Sequence, residues 1–208
     1  SVASGSTWFA LPAAYPVEAN SAVQVVQGLP PDSAILVVFD FEPATAGEME
    51  ASAAGLLDHL LLLQHPRLAL ISTTPTGSVL AERFMSQTLR ERAYARGAQY
   101  VDLGYLPGGL SGVQFFAQNV RAAMPLGAAT DPVWASPILS DIDALSDFRA
   151  LIVLTDSVEG GSRWIEQTIG HRGSAPMLII GSAQSGPMLL PYFDAGQVLS
   201  REREIDIW

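Results

Sequence analysis

Unbroken apolar runs and helix-spaced apolar stripes take turns along this chain. The runs fall at Ala34–Phe39, Arg67–Ser72, Ala150–Thr155 and Met177–Ile180, with a shorter one at Gln99–Leu103. A strand that does not alternate apolar and polar is covered on both faces, which is the signature of a parallel sheet between helix layers. Between the runs the period is helical. Ala19, Ala22, Val23 and Val26 mark a short first helix that Gly28 and the Pro30–Pro31 pair end. Ala44–Gln64 carries the stripe Met49, Ala53, Leu56, Leu57, Leu60 and Leu63. Gly77–Arg96 sets Ala81, Phe84, Met85, Thr88 and Leu89 on one side, with Gly97 as its expected stop. A helix over about Leu110–Met124 follows, and another after the fourth run with Val158, Ile165 and Ile169 inward. Ser1–Tyr15 reads as an irregular arm, Pro125–Asp147 as a long excursion or a loose helical insert, and Gln184–Trp208 as a proline-broken, then charged, close.

Strand and helix thus alternate five times, with crossovers long enough for parallel connections. The fold class expected is α/β: one domain over residues 1–208 with a doubly wound, mainly parallel five-stranded sheet. Such a three-layer sandwich is flavodoxin-like or Rossmann-like, and the flavodoxin-like strand order is the first expectation.

Composition removes chemistries rather than adding them. There is no cysteine, so thiol nucleophiles, disulfides and thiolate metal sites are excluded. All 11 basic residues are arginine, which excludes Schiff-base catalysis and the lysine of a phosphate-binding loop. Against 21 acids they leave a net charge of −10, a surface that repels nucleic-acid backbones. The dense basic run Arg83–Arg96 also contains Glu82 and Glu91, and reads as a solvated helix face. The histidines, His59, His65 and His171, lack metal-ligand spacing, and no serine sits in a GxSxG turn.

In open parallel sheets ligands bind at the carboxyl ends of the strands, near the point where the winding reverses. The residues following each run therefore form the candidate rim: Asp40 and Glu42, Ser72–Thr76, Asp102–Gly109, Asp156 and Glu159, and Ser182–Ser185, with Trp164, Gln167 and Tyr192 nearby. The ligand-binding candidates are Asp40, Glu42, Thr74, Tyr105, Gly108, Gly109, Asp156, Gln167 and Ser182. Asp40, Glu42 and Asp156 are the set that would hold a hard cation such as Mg²⁺, though no cofactor is required by the pattern. The plainer use of such acids is to cap the next turn or helix. Gly108 and Gly109 belong to a glycine-rich turn whose amides would suit an anion, or whose glycines only serve tight geometry. Thr74–Ser78 superficially resembles a flavin phosphate loop but has Val79 where a further hydroxyl is expected and follows the second strand, so an ordinary threonine or serine N-cap is the expected reading.

Several phrases recur together in order: Phe39-Asp-Phe-Glu-Pro43 with Gly47-Glu48-Met49, Leu103-Gly-Tyr-Leu-Pro-Gly-Gly109, Trp164-Ile-Glu-Gln167, and Pro191-Tyr192 with Gly196-Gln197. Over about Asp32–Gln197 the chain resembles a group of uncharacterised bacterial envelope proteins, in which such a domain is tethered by hydrophobic segments. The resemblance implies a membrane-anchored domain working outside the cytoplasm, with its tether beyond residues 1–208. A cytoplasmic domain is the alternative. It implies no particular reaction. With nucleophiles and bases so sparse, the expected role is non-catalytic binding of a small molecule or protein partner. The competing expectation is an enzyme using the rim carboxylates for metal-assisted or acid–base chemistry on a small molecule.

Overall fold

The computed structural model describes residues 17–198 and 200–202. The expected N-terminal arm and Trp208 lie outside the described residues. Five strands come where the apolar runs predict them: β1 (Ala34–Asp40), β2 (Arg67–Ser72), β3 (Tyr100–Tyr105), β4 (Ala150–Thr155) and β5 (Met177–Gly181). A sixth, β6 (Ser200–Glu202), pairs with β5. All pairings are parallel, in one sheet ordered β3-β2-β1-β4-β5-β6. This is the Rossmann order, so the flavodoxin-like order expected first is corrected. The sixth strand was missed because three residues at a sheet edge carry no apolar pattern.

The strands bury both faces. In β1, Ala34, Leu36 and Val38 point into one core, and Ile35, Val37 and Phe39 into the other. Helices α1 (Val17–Gly28), α2 (Ala46–Gln64) and α3 (Gly77–Arg83) cover the second core. Helices α4 (Gly109–Gln118), α5 (Val120–Ala123) and α6 (Val158–Thr168) cover the first. After β5 the short helix α7 (Leu190–Asp194) leads to β6.

Several sequence expectations change in detail. The α2 stripe buries Leu61 and Gln64 and leaves Leu63 exposed, and Ile169 is exposed beyond the end of α6. The helix expected over Gly77–Arg96 is regular only to Arg83. A π-helical turn follows over Phe84–Thr88, closed by the Leu89 amide donating to the Phe84 carbonyl. Phe84, Met85 and Leu89 all reach the core through that wider turn. Ala93, at φ +53°, ends the segment before Gly97 is reached. The arginines of this stretch face outward and pair with acids, Arg83 with Glu50 and Arg92 with Asp58, as a solvated face does. The helix expected to Met124 breaks at Asn119, whose extended backbone and side-chain acceptor start α5 afresh.

The segment between α5 and β4 is neither loose nor peripheral. It carries two short 3₁₀ turns and buries Val133, Trp134, Ile138, Leu139, Ile142 and Leu145 against the sheet. Its first part also crosses the outer edge of β3, where the Ala128 amide donates to the Asp102 carbonyl at 2.9 Å.

Candidate functional site at the switch point

After β1 the chain turns to one face of the sheet, and after the adjacent β4 it turns to the other. The carboxyl ends of these strands therefore flank the crevice where the fold ordinarily takes a ligand. Asp40 ends β1 and is buried. Its carboxylate accepts from the Thr73 amide, from the Thr73 hydroxyl at 2.6 Å and from the Trp164 indole N–H at 2.7 Å. Trp164 is fully buried on α6, so its one polar atom needs an acceptor inside the protein, and Asp40 supplies it. Arg163 donates to the same Thr73 hydroxyl at 2.8 Å and to Glu159 at 2.9 Å. The loop after β2 is thereby fastened to α6 across the crevice.

The loop sits tightly enough to fix its sequence. Ser72 donates to the Phe39 carbonyl at 2.6 Å, and its oxygen accepts from the Thr74 amide at 2.9 Å. A Cβ on Gly77 would stand 1.9 Å from the Ser72 oxygen, so only glycine fits there. Thr76 occupies the N-cap position of α3 without making a side-chain cap bond. The hydroxyl N-cap expected at Thr74–Ser78 is thus replaced by these cross-strand bonds.

A second set of fastenings lies on the other side. Asp156 accepts from the Glu42 amide at 2.9 Å and the Thr45 hydroxyl at 2.7 Å, tying the end of β4 to the turn before α2. Glu48 accepts from the Ala183 amide at 2.7 Å, tying α2 to the loop after β5. Ser182 is buried, with its hydroxyl 3.2 Å from the Asp156 carbonyl and 3.1 Å from the Ser185 hydroxyl.

Asp40, Glu42, Thr74, Asp156 and Ser182 thus gather at one end of the central strands. Tyr105 ends β3 at the same end, opposite Ser72, and is 43% exposed. Two strand spacings separate its backbone from that of Asp40, about 10 Å. Gly108 and Gly109 follow it at φ +93° and +55°, the left-handed turn geometry that glycine serves. Gln167 stands apart: it is nine residues beyond the start of α6, about 13 Å down the helix axis. Of the set that would hold Mg²⁺, Asp40 and Asp156 already receive these donors. Among the described residues no three His, Asp or Glu side chains converge in a metal-holding group.

A buried carboxylate with a raised pKa lies off the switch point. Asp102, on β3, is buried, and burial pushes its pKa up against the opposing hydrogen bonds from Ser78 and the Gly104 amide. It borders a cleft of about 430 Å³ at the outer edge of the sheet. A second cleft, about 340 Å³, lies at the opposite end of the strands around Arg67 and Arg149.

Thr45, Glu48 and Arg163 were absent from the sequence-derived site. All three are polar residues of loops or helix surfaces, and of them only Glu48 stood in a recurring phrase. Trp164 did carry a signal, since an indole on an inward helix face demands a buried acceptor nearby. No protein-family model, curated protein or solved structure matches this chain.

Proposed function

We propose that this is a binding domain rather than an enzyme, carried outside the cytoplasm by a membrane-anchored protein. One observation carries the non-catalytic part. Asp40, Asp156 and Glu48 spend their carboxylates on amides and hydroxyls of neighbouring loops, which leaves the switch-point crevice stitched across. A general base or metal ligand needs a free lone pair facing the substrate; both oxygens of Asp40 are taken, and Asp156 and Glu48 each commit one to a neighbouring loop. The resemblance to tethered envelope proteins supports the location. Among the described residues no helix is long and apolar enough to cross a membrane, so a tether would be supplied by other segments.

The test uses the opposite signs expected for fasteners and for catalytic acids. Catalytic carboxylates often cost stability, so neutralising them is neutral or stabilising. Asp40→Asn would place an amide donor against donors from Thr73 and Trp164 and remove the charge they point to. The expected loss is about 2–3 kcal/mol, a Tm fall of roughly 5–10 °C for a chain of this size. Asp156→Asn should fall less, by about 1–2 kcal/mol, because its site is half-exposed. A Tm that is unchanged or higher in both variants would return the acids to catalysis.

A further inference from the structure

The cleft at the outer edge of the sheet has a different character from the rim. One wall is α3, presenting Ser78, Val79 and Glu82, and the other is the edge-crossing loop at Ala128. Asp102 and Arg96 also line it. Val79, Ala128 and Ala129 give it an apolar part, and Val79 is 72% exposed.

Its polar groups are incompletely paired. Glu82 accepts through Oε1 from the Tyr100 hydroxyl at 2.8 Å. Its Oε2 is buried and accepts no hydrogen bond. The nearest cation is Arg96, whose Nη1 stands 3.6 Å away, an ion pair too long to be a hydrogen bond. The Arg96 guanidinium donates no hydrogen bond to any described residue, and its side chain is 37% exposed on a flexible stem. Arg83, the other cation on the lining, is already paired with Glu50. A stretched pair of this kind holds one buried acceptor without a donor and one cation without an acceptor.

Each simple ligand would mend only half of it. An organic anion would satisfy Arg96 while facing Glu82 and Asp102. A plain amine would satisfy Glu82 while meeting Arg96. A ligand bearing both charges on groups attached to one carbon mends both when Arg96 swings outward to admit it. We propose that this cleft binds a small aliphatic α-amino acid, with its ammonium on Glu82, its carboxylate on Arg96 and its side chain against Val79 and Ala128. The cavity volume suits a ligand of that size and falls at the small end of ordinary ligand sites. The assignment rests on the reading of a binding domain, and names a ligand class for a site separate from the rim.

Calorimetric titration of the 208-residue chain with L-leucine, 3-methylbutylamine and 4-methylpentanoate tests it. The two analogues are leucine without its carboxylate and without its ammonium. Leucine should bind saturably, and each analogue at least about tenfold more weakly. Arg96→Gln should weaken leucine about tenfold while strengthening the amine, and Glu82→Gln should weaken leucine while strengthening the acid. Both side chains are part-exposed, so thermal melts close to those of the parent chain will show that the fold survives. Amide shifts at Ala128 and Ala129 should move with leucine. Absence of binding up to about 10 mM overturns the proposal, as does an analogue that binds as well as leucine, or affinity indifferent to both substitutions. If leucine fails to bind while Asp40→Asn and Asp156→Asn lower Tm, the cleft assignment falls and the binding-domain reading stands.

Discussion

Asp102 shows how much a single buried carboxylate can impose on the pH behaviour of the protein. Its carboxyl is held by Ser78 and the Gly104 amide, yet burial outweighs them and raises its pKa above the ordinary 3.8. A raised acid pKa means the folded state holds the proton more tightly than the unfolded state. The stability this group contributes is therefore complete below about pH 3.8 and is lost as pH rises through its folded pKa. Asp102→Asn keeps an acceptor for Gly104 and gives Ser78 a donor, without a charge to bury. The Tm of this variant minus that of the parent chain should climb as pH rises from 4 and then level off, as melts at intervals of half a pH unit, roughly, would reveal. Parallel curves would mean that Asp102 pays no burial penalty. The sequence placed this residue at the end of a strand but could not show its burial, because the covering groups, Ser78 and the edge-crossing loop, lie 24 and 26 positions away.

Among the elements, legibility followed burial. β1, β4 and β5 could be read directly because both faces of a central parallel strand are covered, so the residues are apolar without interruption. α3 was overextended because a π turn and an α turn share the same local composition, and the choice between them is made by the core that Phe84 and Leu89 enter. The excursion before β4 was misjudged for a related reason. Proline, alanine and aspartate signal a loop, whereas Trp134 and the isoleucines that anchor it carry no period. Trp134 donates to the Met124 carbonyl and lies under the Arg121 guanidinium, 5.8 Å from the ring centre. Trp134→Ala should cost about 3–5 kcal/mol, and the Tm should fall by roughly 6 °C or more. Leu126→Ala, exposed in the same segment, should stay within about 0.5 kcal/mol. Equal melts for the two variants would show the excursion to be an appendage.

At the scale of the molecule, the candidate rim was legible as a place and illegible as a mechanism. Topology puts strand ends together wherever the sheet is parallel, so Asp40, Glu42 and Asp156 could be grouped from sequence. What each carboxylate touches depends on partners as far as 135 positions away, such as Glu48 and Ala183, which no local pattern encodes. The location reading has its own test in the full-length protein. In intact spheroplasts, added protease should digest the domain together with a periplasmic control, and the protein should sediment with membranes. Protection of the domain, or its recovery wholly in the cytosol, would place it inside the cell.

The loop that crosses β3 has a further consequence for the fate of the protein in a crowded compartment. An uncovered edge strand offers amide and carbonyl groups to any extended chain that meets it, including another copy. Here the bond from Ala128 to Asp102 occupies that edge, and a Cβ on Gly104 would lie only 3.2 Å from the Ala128 backbone. The covering loop is anchored beyond it by Val133 and Trp134. Loosening that anchor would uncover a strand already shaped for pairing, while the core on the other face of the sheet stayed intact. Self-association through this edge should therefore precede unfolding in anchor-deficient variants, and their solubility should fail before their helices do.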